Sequence, residues 1–71
     1  MSISYKKLWI RIIEKDMTNA QVRERSKVSS STFTKLKHNE YVSLEVLERI
    51  AKELDCEIGD LVEIIRENES E

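Results

Sequence analysis

Residues 43–54, SLEVLERIAKEL, constrain the fold of this chain more than any other stretch. Leu44, Leu47, Ile50, Ala51 and Leu54 recur every three or four residues, which at about 100° per residue lines them along one face of a helix. Ser43 stands where its side-chain oxygen can accept from an otherwise orphan N–H of the first turn. A helix with one apolar stripe must bury that stripe against other elements. In a chain of 71 residues with no proline and one glycine, the simplest partners are further short helices, with no strand required. A domain of this size removes only about 60% of its unfolded surface from water, so its stability margin is thin.

Four more helices are expected. In the first, within Ile3 to Ile13, Leu8, Ile12 and Ile13 repeat at helical spacing beside Tyr5 and Trp9, and Lys6, Lys7, Arg11 and Lys15 form a basic flank. Tyr5 and Trp9 read as core aromatics rather than partner anchors. Thr18-Asn19-Ala20-Gln21 has the form of a capping box and opens a second helix at 18–26, whose apolar members are Val22 and Ala20. Ser29 is a natural N-cap for a third helix at 30–38. A fifth helix, from about Ile58, is expected to turn Leu61, Val62 and Ile65 inward and Asp60, Glu63, Arg66 and Glu67 outward. The fold class is therefore all-α, a single compact five-helix domain over 1–66 with a flexible acidic tail at 67–71.

Composition narrows the function. With 39% hydrophobic and 37% charged residues the chain belongs among folded, soluble sequences. Cys56 is the only cysteine and His38 the only histidine, which leaves no intrachain disulfide and no cysteine-based metal cluster. No metal and no cofactor are expected. Cys56 reads as a small helix-end hydrophobe. No apolar run approaches the roughly 20 residues that span a bilayer, and the start MSISYKKLW lacks a signal-peptide core, so a cytoplasmic protein is expected. An enzyme is the weakest reading, because catalysis needs a nucleophile with a base, a carboxylate pair in a cleft, or a metal.

The net charge of −2 conceals a split: residues 1–42 hold nine Lys/Arg against four Asp/Glu, and residues 43–71 hold three against ten. Such asymmetry hints at nucleic-acid contact through the basic half. The acidic half reads as a solvated face, or as one that repels DNA and orients the docked domain.

KVSSSTFTKLK, residues 27–37, then finds its explanation. Phe33 and Leu36 share one side of the third helix, while Ser31, Thr34, Lys35 and His38 line the opposite side, flanked by Ser30 and Lys37. Two short helices joined by about three residues make a helix-turn-helix candidate, whose second helix has an outer face suited to a DNA major groove. Small hydroxyls let the backbone approach base edges and phosphates, the Thr34 methyl can meet a thymine methyl, and Lys35 can donate to guanine or to a phosphate. A plain solvated helix face is the alternative.

The stretch MTNAQVRERSKVSSSTFTKLKHNEYVSLEVLERIAKELDCEIGDLVE, residues 17–63, resembles the Cro/phage-repressor class of helix-turn-helix domains, the XRE-like family, and within it a small stand-alone subgroup. The resemblance covers about two-thirds of the chain in order and implies a lambda-repressor-like fold. It implies base-reading roles for Ser30, Ser31, Thr34 and Lys35, and backbone-phosphate roles for Asn19, where glutamine is more usual, and for Ser29, Lys37, His38, Asn39 and Tyr41. It also implies a dimer interface at Leu61, Ile64 and Ile65. Two residues depart from the pattern: Lys27 stands where many relatives have glycine in the turn, and Arg23 where many have alanine. None of the four candidate readers is Gln, Asn or Arg, so discrimination is expected to be modest or to rest on DNA shape.

The function these residues imply is a bacterial or phage transcription regulator, a repressor, that binds double-stranded DNA as a homodimer and has no small-molecule effector or membrane partner. The alternative is a protein-binding adaptor, an antirepressor or antitoxin-like module that turns the same exposed face to another protein.

Overall fold

The computed structural model describes residues 2–66. The 67–71 segment, expected as a flexible tail, lies outside the described residues. The elements in order are strand β1 (Ser2–Ser4), helices α1 (Lys6–Glu14), α2 (Asn19–Arg25), α3 (Ser30–Lys37) and α4 (Leu44–Glu53), a 3₁₀ turn (Ile58–Asp60) and strand β2 (Glu63–Ile65).

Helix starts follow the side chains expected to make them. The Thr18 hydroxyl accepts from the Gln21 N–H at 3.1 Å and the Gln21 Oε1 accepts from the Thr18 N–H at 2.9 Å, a complete capping box. Ser29 Oγ accepts from Thr32 N–H and Ser43 Oγ from Val46 N–H, each at 3.2 Å.

The four α-helices among the described residues stop by one device. Asp16, Lys27, Asn39 and Asp55, just past their C-termini, have φ of 56°, 59°, 57° and 54°. At each stop this left-handed residue donates its N–H three residues back and its successor donates five back. The pairs are Asp16 to Ile13 with Met17 to Ile12, Lys27 to Glu24 with Val28 to Arg23, Asn39 to Leu36 with Glu40 to Lys35, and Asp55 to Lys52 with Cys56 to Ala51. Last-turn carbonyls are thereby satisfied, as in a Schellman motif. Asn and Asp tolerate this conformation best among residues with a Cβ, so Lys27 is the strained member.

The core gathers Tyr5, Leu8 and Ile12 of the first helical region, Val22 and Val28, Phe33 and Leu36, Leu47, Ile50, Ala51 and Leu54, and Leu61. Two expected stripe members fall outside it: Ile13 is 72% and Leu44 70% exposed. On α1 the buried line runs Tyr5, Leu8, Ile12, and Ile13 lies about 100° round from Ile12. Leu44 opens the first turn of α4, one turn before the buried Leu47.

The five-helix expectation is corrected at its last element. Glu57 and Asp60 cap a single 3₁₀ turn, in which Asp60 accepts from the Glu57 N–H at 3.0 Å, and the chain then extends into β2. β2 pairs antiparallel with β1 in the register Ser2 to Ile65, Ile3 to Ile64 and Ser4 to Glu63. The physical reason lies in Val62, Ile64 and Ile65: β-branched side chains lose rotamer freedom in a helix and fit a pleated strand, and the Ser-Ile-Ser segment supplies an edge to pair with. Leu61 does turn inward as expected and Val62 partly so, but Ile65 does not. An Arg11 to Asp60 ion pair of 3.8 Å joins α1 to the 3₁₀ turn.

Candidate nucleic-acid interface

The α2-turn-α3 unit is held from behind at three places. Val28 in the turn is buried, and Ser26, also buried, donates its hydroxyl to the Val22 carbonyl. From α4, Arg49 donates Nη1 to the Lys27 carbonyl at 3.3 Å while its Nη2 meets the Glu45 carboxylate at 2.8 Å, so a fixed guanidinium braces the strained turn. Under α3, Phe33 meets Trp9 edge to face, with ring centroids 5.6 Å apart and planes at 73°. Tyr5 and Trp9 thus belong to the packing that presents α3. Sequence reasoning passed over Ser26 and Arg49; a buried-side serine at a helix end and an Arg four residues after a Glu were the available signals.

Ser30, Ser31, Thr34 and Lys35 all lie on the exposed surface of α3. Their hydroxyls are not equally free. Thr34 Oγ1 donates to the Ser30 carbonyl at 2.9 Å, which leaves its lone pairs and methyl to face outward. Ser31 Oγ lies 3.2 Å from Ser29 Oγ, and Ser29 Oγ donates to Thr32 Oγ1 at 2.9 Å, so Ser29 is occupied as cap and relay within the first turn. The face also divides in two. Ser30, Thr34 and Lys37 border the groove toward α2, while Lys35 borders a hollow with Tyr41 and Ser43 toward the start of α4.

Of the residues expected at phosphates, Asn19 opens α2 beside that groove, and Lys37, His38 and Tyr41 are exposed around the end of α3. Asn39, exposed as well, also has a structural partner. Its Oδ1 accepts from the Tyr5 N–H at 3.0 Å, and the Tyr5 hydroxyl donates to the neighbouring Glu40 carbonyl at 2.8 Å. Asn39 ends α3 and ties it to the start of α1, and its amide NH₂ is left to donate to a ligand. The expected interface residues separate as well: Leu61 is fully buried in the chain's own core, whereas Ile64 and Ile65 are 57% and 39% exposed on β2.

Burial pushes the Tyr5 phenol above its ordinary range, with a backbone hydrogen bond opposing and the Tyr41 side chain adding to the rise. Burial likewise raises the Cys56 thiol, against the opposing pull of Arg11 and Lys15, so this cysteine remains a thiol at neutral pH. Among the described residues no His, Cys, Asp or Glu group is arranged to hold a metal ion, and no helix is long and apolar enough to cross a membrane.

A capped, braced α2-turn-α3 pair with a hydroxyl- and lysine-rich outer face is the geometry of a helix-turn-helix DNA reader. The crystal structure of the transcriptional regulator VanUg superposes on this chain with a TM-score of 0.88 at 47% identity, covering 93% of this chain and 88% of that one. A comparison with curated proteins gave no match. The model of the Cro/C1-type helix-turn-helix DNA-binding domain matches residues 7–67, and the chain belongs to that family.

Proposed function

We propose that the protein is a sequence-specific transcription regulator, a repressor in the cytoplasm of a bacterium or in the service of a phage, that lays α3 in the major groove and occludes a promoter. One observation carries the reading: α3 buries only Phe33 and Leu36, while Ser30, Ser31, Thr34, Lys35 and Lys37 of the same capped and braced helix are exposed with their hydroxyls and lysines. Ser31 and Lys35 face base edges together with Ser30 and Thr34, and Asn19, Ser29, Lys37, His38 and Tyr41 meet the backbone, with Asn39 reduced to its amide. The regulator acts as a homodimer that joins through Ile64 and Ile65 on β2, without Leu61, because two-fold symmetry in the protein matches paired half-sites in DNA. It has no catalytic role and needs neither cofactor nor small-molecule effector.

Competition binding to a selected site and to random DNA tests the assignment of roles. Lys35→Ala weakens the selected complex more than the random one, by the order of 1–3 kcal/mol for a lost base contact, whereas Lys37→Ala weakens both alike. Equal losses from the two changes would contradict the roles. A stoichiometric protein captured on the same face, with no DNA shift at low salt, would favour the adaptor reading instead.

A further inference from the structure

Between α2 and α3 runs an open groove of about 330 Å³, bordered by Asn19, Arg23, Ser30, Thr34 and Lys37 with Phe33 beneath. Asn19 and Arg23 are one turn apart on α2, and Ser30, Thr34 and Lys37 recur at four and three residues along the facing side of α3. The groove brings together two cations, a side-chain amide and two hydroxyls, and no carboxylate borders it. The hollow beside Lys35, Tyr41 and Ser43 also lacks a carboxylate but holds a single cation, and two others include acidic residues. The one under Arg25, Lys27, Arg49 and Lys52 includes Glu53, and the one under Lys7 and Arg11 includes Glu14 and Asp60. Among the described residues neither Arg23 nor Lys37 has a carboxylate within ion-pair reach.

Arg23 is also half-buried whereas Lys37 is exposed. A guanidinium on a partly buried stem is already restricted before a ligand arrives, and its planar fork matches two oxygens of one phosphate. Resting on the DNA-binding reading above, we infer that this groove is a clamp for a single backbone phosphodiester, with Arg23 as the deep donor, Lys37 as the outer cation, and Asn19 and the Ser30 hydroxyl completing the donors. Thr34, whose hydroxyl proton is held by the Ser30 carbonyl, contributes a wall rather than a donor.

The clamp changes how α3 is used. Seating a phosphate against Ser30 and Thr34 fixes the roll of α3 in the DNA groove and turns its other flank, Ser31 and Lys35, toward the bases. Arg23 is thus a register-setting residue for recognition; Ser30 and Thr34, placed at base edges in the reading above, serve the phosphate instead, and base discrimination concentrates on Ser31 and Lys35.

The test uses the full chain, its selected duplex and a random duplex over about 50 to 200 mM salt. Arg23→Gln weakens both complexes alike, roughly tenfold at the middle of the range, and lowers the log–log salt slope by part of the roughly 0.9 that one phosphate contributes, because Lys37 still faces the same phosphodiester; Arg23→Gln combined with Lys37→Gln lowers it by about 0.9. Arg23→Lys restores the slope though not the full affinity, and thermal melts of the variants report any loss of fold. Duplexes carrying one neutral methylphosphonate at a time locate the contact: one position per half-site weakens the wild type distinctly more than it weakens Arg23→Gln. A slope unchanged in Arg23→Gln, or identical methylphosphonate profiles for the two proteins, overturns the clamp while leaving DNA binding intact. A loss confined to the selected duplex makes Arg23 a base reader and also overturns it. Inorganic phosphate bound at the groove with an unchanged DNA slope marks an anion site unrelated to DNA and does the same. Absence of any DNA binding by the wild type removes the clamp together with the reading beneath it.

Discussion

Lys27 carries the sharpest residue-scale conflict between local preference and fold. A Cβ in the left-handed region costs about 1 kcal/mol or more, and Lys27 sits there with φ 59° in the turn that joins α2 to α3. The Arg49 guanidinium on its carbonyl helps to hold the turn in place. Lys27→Gly is therefore expected to stabilise the protein by about 1 kcal/mol, reduced by the extra freedom of glycine in the unfolded chain, which thermal melts would show as a rise of a few degrees. An unchanged or lowered melting temperature would mean that the lysine makes a compensating contact. Tyr5 gives a second prediction. Its phenol is raised by burial, so the unfolded chain releases that proton first as pH climbs. The contribution is fully present below the ordinary tyrosine range, near pH 10, and is lost as pH rises through the higher folded value. Tyr5→Phe costs about 1 kcal/mol at neutral pH through the lost bond to the Glu40 carbonyl, and its denaturant midpoint falls less steeply above pH 10 than the wild type's. Parallel curves for the two proteins would contradict this.

Helix starts were legible in the sequence because capping is local. Thr18 with Gln21, Ser29 and Ser43 each act on a backbone N–H three residues away, and no distant element can change that geometry. Which side of α3 is exposed was legible for a similar reason, since the helix has so few apolar residues that only one side can turn inward. The last element was not, because Leu61, Val62 and Ile65 fit a helical spacing and an extended strand about equally well. The deciding partner, Ser2–Ser4, lies at the other end of the chain, and pairing across that separation leaves no local trace. The same limit hid Asn39, which reads as an exposed helix-end amide until Tyr5 is brought beside it. At the element scale β2 also carries the dimer prediction. Ile64→Lys leaves the monomer's melting temperature nearly unchanged, as expected for an exposed position, but moves the sedimentation mass from twice 8.4 kDa toward 8.4 kDa. Retention of a dimer would move the interface elsewhere, with Ile10 and Ile13 on α1 the next exposed apolar candidates.

For the molecule as a whole, the division of charge agrees with the placement of the elements. The half with nine Lys/Arg against four Asp/Glu contains α2 and α3, and the half with three against ten contains α4 and β2. If α3 docks on DNA as proposed, this division is expected to favour approach by the cationic side over the acidic one, a preference that would weaken as salt rises. The measurement that tests this account most directly is a fluorescence-anisotropy titration of the protein against genomic fragments, its own promoter among them, at two salt concentrations. The account predicts one preferred fragment, bound with an affinity that falls steeply as salt rises, the slope reporting the phosphates engaged. Equal affinity for every fragment would contradict sequence-specific regulation, and no binding even at low salt would contradict the DNA-facing role of α3 itself.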